Sequence, residues 1–322
     1  MNTRRIRLGL AVLLLGFATT GVNAAEVTLK AVSVFPKGNF FARHFETFVE
    51  RVNAQGKGKV QIRLLGGPDA MPPLQVGNAL KGGVIDLANT TGVFHANLVP
   101  EAVALTLTTK PIAELRKNGA YDLMNKIHQD KAQIYWLGRD AQHLQYHIYL
   151  TKKPSDADFK GLRLRSVPVY NAFFKALGAN PMTIAPGEVY TALERGVIDG
   201  YGWPIAGVFD LGWQERTKVR VDPGFYAVET GIFMSLKSWS ALDADQQAFL
   251  KEQMAWLEDQ SKSYVAEGKA EADKQANAGI EVLTLPSADA AKFVATANEA
   301  GWAAILAASP QYGAELKKLL AD

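Results

Sequence analysis

Apolar and polar positions repeat along this chain with two periods that take turns. The spacing predicts a strand from Val27 to Val34, a helix from Asn39 to Asn53, a strand from Val60 to Leu65, a helix from Leu74 to Lys81 and a strand from Val84 to Ala88. A second series follows the same order: strands at 145–150 and 162–165, helices at 168–177 and 188–195, and a short strand at 197–199. Strands alternating with helices predict a parallel sheet with both faces covered. Tyr226–Leu236 reads as one further long strand. Beyond it, Asp243 followed three residues later by Gln246 has the form of a helix N-terminus, and the pattern then runs to about Ala278 without proline and with one glycine, Gly268. Unbroken, such a helix would be roughly 54 Å long, enough to cross two lobes; two helices parted near Gly268 are the alternative.

The two series share a piece of sequence. "ALKGGVID", residues 79–86, returns as "ALERGVID" at 192–199, with differences only at Lys81-Gly82 against Glu194-Arg195. Gly83 and Gly196 sit where a helix needs a left-handed terminating residue, and Val-Ile then starts an apolar run read as a buried strand. Two copies are too few for a solenoid and fit two similar α/β lobes.

The first 24 residues stand apart. Arg4, Arg5 and Arg7 precede an apolar run from Leu8 to Phe17, which is short for a membrane span, and Val22-Asn23-Ala24 offers small residues for cleavage. This is the form of a secretion signal and predicts a mature chain starting near Ala25, exported to the periplasm and not inserted in the membrane. Of 35 Lys and Arg against 32 Asp and Glu, three arginines lie in that leader, so the remainder is balanced. A balanced chain lacks the positive field of a nucleic-acid binder. The sequence has no cysteine, which removes disulfides, thiol catalysis and Cys-ligated metals.

Among candidate functional residues, Arg165 falls at the carboxyl end of a predicted strand in "GLRLRSVPVY", with Pro168 opening the next helix and Gly178 closing it. Ligands of open α/β sheets bind beyond the carboxyl ends of strands, where an arginine fork can clamp a carboxylate. Trp203, between Gly202 and Pro204, follows the strand of the second repeat and can wall a pocket or fill a core. His143 and His147 have the spacing of a helical zinc pair but lie in a strand-like run with no third ligand, so a metal site is not expected. Glu188 reads as a helix-start acid. No GxSxG, P-loop or complete GxGxxG occurs, so neither an enzyme nor a cofactor is indicated.

Taken jointly, "FKGLRLR", "ALGANP" and "GEVYTALERGVIDG", with "GKVQIRLLGG" and "GVIDLA" upstream and "SLKSWSAL" downstream, closely resemble the DctP-type substrate-binding proteins of tripartite ATP-independent periplasmic (TRAP) transporters. The resemblance implies an α/β clamshell with a long helix crossing both lobes, which closes on an organic acid and delivers it to TRAP membrane permease subunits. It implies lobe I from 25–142 plus 231–270 and lobe II from 143–230 plus 271–322, with hinges near 143–150 and 226–236. Arg165 matches the family's carboxylate-binding arginine, and Trp203 falls where many relatives carry a polar pocket residue. A second arginine of sialic-acid-type relatives aligns near Gln145, and its absence favours a monocarboxylate with an apolar or aromatic body. Thr91 and Phe94 match first-lobe pocket positions; Asn39, Phe40 and His147 are further candidates for substrate contact. A receptor for an ATP-driven importer and a secreted two-lobed enzyme are the rival readings.

Overall fold

The computed structural model describes residues 25–154 and 158–321; the leader expected at 1–24 lies outside the described residues. Among the described residues eleven strands form two sheets. They are β1 (Val27–Ser33), β2 (Val60–Gly66), β3 (Leu87–Thr90), β4 (Ile134–Arg139), β5 (Tyr146–Leu150), β6 (Arg163–Ser166), β7 (Asn180–Thr183), β8 (Gly200–Pro204), β9 (Val219–Asp222), β10 (Gly231–Ser235) and β11 (Glu281–Thr284). The first sheet has the order β2-β1-β3-β10-β4 and the second β7-β6-β8-β5-β9-β11. Apart from the added β11 the two orders correspond strand for strand. Neither sheet is wholly parallel: β10 runs antiparallel to β3 and β4, and β5 antiparallel to β8 and β9. Each lobe therefore receives one strand that follows a crossing from the other.

The repeated corner is built in the same way twice. Gly83 and Gly196 hold φ of +68° and +63°, and Val84 and Val197 each bond back to the carbonyl of the repeat's alanine, Ala79 or Ala192, at 2.9 Å. The next strand starts later than the sequence pattern predicts, at Leu87 and Gly200. The valines are 61% and 40% exposed, and only the isoleucines, Ile85 and Ile198, are buried. The aspartate explains the delay. Asp86 takes the amide of Lys30 on β1 at 2.7 Å, and Asp199 takes that of Arg163 on β6 at 2.9 Å. Each carboxylate thus ties the corner to the neighbouring strand before its own strand begins.

Three chain segments cross between the lobes. The first two, 140–145 and 223–230, lie side by side: Asp140 N donates to Thr230 O at 2.7 Å, Val228 N to Leu144 O and Tyr146 N to Tyr226 O at 2.9 Å. The predicted strand 226–236 is therefore a crossing segment followed by a short strand. The third crossing is helical. Ala244–Gln260 starts with the predicted capping box, Asp243 Oδ1 accepting from Gln246 N at 2.8 Å, and packs on helix Phe40–Gln55 and on β4. Ser263–Asn277 continues into the second lobe, where Gln275 donates to Ile205 O at 2.7 Å. Between them Ser261 and Lys262 keep right-handed helical angles, but Tyr264 N bonds three residues back to Ser261 O. The helical run is interrupted there and not at Gly268. Ser261 Oγ donates to Glu258 O and accepts Gln142 Nε2, and a side chain inserted into the ladder is a common cause of such a break.

Candidate ligand-binding site

Arg165 lies in the second sheet, opposite Tyr201 of β8, and is 1% exposed. Its Nε donates to Ile184 O at 2.9 Å and its Nη1 to Gly202 O at 3.2 Å, while Nη2 is buried without a partner. No acidic side chain among the described residues pairs with it. The guanidinium centre stands 5.4 Å from the Trp203 ring and 6.0 Å from that of Trp213. Burial pushes the arginine down to about 10, with Tyr170 and Tyr146 acting in the opposite direction. A buried cation held by two carbonyls and two indole faces is well oriented and poorly neutralised.

Around it lies a cavity of about 30 Å³ between the lobes. Phe35, Phe41, Thr91 and Phe94 come from the first lobe; Tyr146, Tyr170 and Trp203 face them from the second. Thr91 caps the short helical turn Gly92–His95 and donates its hydroxyl to Glu229 at 3.1 Å. Of the residues singled out from sequence, the fold thus gathers Arg165, Trp203, Thr91 and Phe94 in one cavity.

The other four are elsewhere. Gln145 is exposed and pairs with Ala227 in the crossing ribbon. His147 faces the opposite side of β5, with Nδ1 at 2.9 Å from Asp222, itself forked by Arg220. Those two partners, outweighing burial, hold Asp222 down to about 2. Alternation along β5 explains the placement: Tyr146 points to the cavity, so its neighbours point away. Asn39 caps helix Phe40–Gln55, accepting from Phe41 N at 3.0 Å, and its amide reaches across the cleft to Asp210 Oδ2 at 3.1 Å. Phe40 is buried beside Tyr264, and its N–H gives Asp210 Oδ2 a 2.7 Å bond. A second-lobe carboxylate therefore caps a first-lobe helix, a charge-assisted contact made between the lobes.

Sequence reasoning missed a group of buried charges at the two paired crossing segments. Arg139, Asp140 and Glu229 are all buried. Burial lowers Arg139 and raises Glu229, and burial pushes Asp140 up to about 8. Their signal was charge inside apolar runs, "YWLGRDA" and "YAVETGIF".

The model of the bacterial extracellular solute-binding proteins, family 7 (DctP), matches residues 32–307. The chain belongs to this family. DctP proteins of the TRAP type are solute-binding receptors, not enzymes. A solute-binding protein of Roseobacter denitrificans is 24% identical over 293 residues, 88% of each chain. A monocarboxylate 2-oxoacid-binding periplasmic protein of Nostoc is 24% identical over 250 residues, covering 72% of this chain and 67% of the relative. Among solved structures, a TRAP periplasmic solute-binding protein of Desulfovibrio salexigens with bound orotic acid superposes with a TM-score of 0.81 at 20% identity, covering 91% of this chain and 96% of the other. An extracytoplasmic solute receptor of Bordetella pertussis binding pyroglutamic acid gives 0.78 at 19% identity, with 91% and 98% covered. The two-lobed α/β architecture is common to this DctP chain and those structures.

Proposed function

We propose that this DctP-family chain is a periplasmic receptor that closes on a monocarboxylate with an apolar or aromatic body, held through Arg165, and hands it to a TRAP permease. The observation that carries the reading is the unpartnered Nη2 of Arg165, a buried cation without a counter-ion at the wall of an aromatic interlobe cavity. A ligand carboxylate supplies the missing charge and acceptor, and exclusion of water strengthens the bond. The aromatic walls suit a ring or branched alkyl group better than a polyhydroxy chain. The orotate and pyroglutamate of the structural relatives are ring-bearing acids, and the Nostoc relative is described as binding monocarboxylates, which supports the same class.

Closure follows from the two-sided site. A ligand touching Arg165 and Trp203 on one lobe and Thr91 and Phe94 on the other makes its full contacts only with the lobes together, so it draws the population to that form. The Asp210 contact with helix Phe40–Gln55 favours the same state. The leader at 1–24 supplies export, and the closed shape gives the permease a means of telling loaded receptor from empty.

Calorimetric titration of the chain from Ala25 onward tests this reading with benzoate, orotate, pyroglutamate and a branched 2-oxoacid against succinate and galactonate. One-to-one binding is expected within the monocarboxylate group, with a change in tryptophan fluorescence. Trp203→Ala should lose more affinity for the ring-bearing acids than for pyruvate. Binding confined to dicarboxylates or sugar acids would overturn the assignment.

A further inference from the structure

Phe35 and Trp203 each face a second space. Beside the Arg165 cavity, and sharing these two walls with it, is a chamber of about 250 Å³. The first lobe contributes Pro36, Pro68, Pro72 and Pro73 to it, and the second Pro186 and Leu211. Proline has no N–H, so these five prolines offer no backbone donor, and the amide of Asn39 is engaged by Asp210. The chamber thus reads mainly shape and apolar area, with the indole N–H of Trp203, buried without a partner, as a polar group at its wall.

Size divides the two spaces by task. The 30 Å³ at Arg165 is the smaller space and suits a carboxylate-sized group, while the chamber beside it is about eight times larger. An apolar cavity of about 150 Å³ holds benzene, so the 250 Å³ chamber has room for a ring and a short linker. We infer that the chamber is a second subsite, in which the ligand's apolar body lies past the Phe35–Trp203 partition while its carboxylate stays on Arg165. The preferred ligand class is then an elongated acid, a carboxylate joined by a short linker to an aryl or branched alkyl group, in preference to a compact acid such as pyruvate. This rests on the carboxylate role of Arg165 and adds the length of the ligand to it.

Gly187, at the exposed edge of the chamber in helix Pro186–Glu194, gives a direct test. A Cβ there meets nothing within 4 Å, and its φ is not in the left-handed range, so a side chain can be added without displacing the backbone. Titration of pyruvate, benzoate, phenylacetate and phenylpropanoate into the parent protein is expected to show affinity rising with length to an optimum at a linked ring. Gly187→Phe should fill the chamber and weaken phenylpropanoate by about tenfold or more while leaving pyruvate within about twofold. Leu211→Ala, which enlarges the chamber, should move the optimum towards phenylbutanoate. If phenylpropanoate binds Gly187→Phe and Leu211→Ala as it binds the parent, or if pyruvate binds the parent more tightly than every aryl acid, the second subsite is refuted and the role of Arg165 stands. Failure of the parent to bind any of these acids would remove both.

Discussion

Replacing Arg165 by alanine is expected to weaken ligand binding by about 2–5 kcal/mol, roughly 30-fold to several thousandfold, the usual cost of truncating one partner of a buried, hydrogen-bonded charge pair. Arg165→Lys should recover little. Lysine's point charge cannot hold the carbonyls of Ile184 and Gly202 and still present a planar fork to the ligand. The unliganded fold should tolerate the change. The parent buries this cation without a counter-ion, and replacing buried charge by apolar volume is often neutral or stabilising, so Arg165→Met should melt no lower than the parent. Calorimetric titration paired with thermal unfolding separates the two effects. Unchanged affinity in Arg165→Ala would exclude the clamp; a large fall in melting temperature in Arg165→Met would make the arginine a structural residue.

The second large effect is a dependence of stability on pH centred on Asp140. Burial drives its carboxyl up to about 8, against a weaker pull from the hydroxyl of Tyr264 at 3.4 Å, and the negative charge of Glu229 adds to the rise. An acid whose folded-state value is raised keeps its proton when folded after the unfolded chain has released it, so stability falls as pH rises from the unfolded value towards 8. The buried histidines act at the other end. Burial holds His128 down to about 4 and His95 well below its usual range, so stability is also lost as pH falls below about 6.5, where the unfolded chain takes up their protons. Between about pH 6.5 and 8 the aspartate should itself cost about 2 kcal/mol, and Glu229 and Glu258, also raised by burial, act in the same direction. Asp140→Asn should flatten that alkaline limb and melt higher than the parent at pH 8. An alkaline limb of unchanged slope in Asp140→Asn would show that the proton belongs to another group.

The sequence carried the repeated corner because its requirements are local: a left-handed glycine, an apolar isoleucine and an aspartate that accepts a neighbouring strand's amide. It carried the capping box at Asp243 for the same reason. What it did not carry depends on partners distant in the chain. β5 and β10 enter their sheets antiparallel because of where the crossing segments deliver them, which no local period encodes. The helical run is interrupted at Ser261, where Gln142 meets the serine hydroxyl, and not at Gly268. Within the site, Arg165 and Trp203 were legible from strand ends and their flanking glycine and proline. Gln145, aligned with a relative's arginine, and His147, read as a pocket-lining histidine, lie one position either side of Tyr146, and in a strand a shift of one residue selects the other face. Phe35, Phe41 and Tyr170 looked like core residues, since an aromatic-lined pocket and an aromatic core share one sequence signature.

The most direct measurement is a crystal structure of the protein with a monocarboxylate from the titration panel. The carboxylate should lie between the lobes with an oxygen about 2.7–2.9 Å from Nη2 of Arg165, the body against Trp203, and Asp210 still bonded to the start of helix Phe40–Gln55. A ligand bound with its carboxylate elsewhere and the Arg165 Nη2 left without a partner would contradict the account.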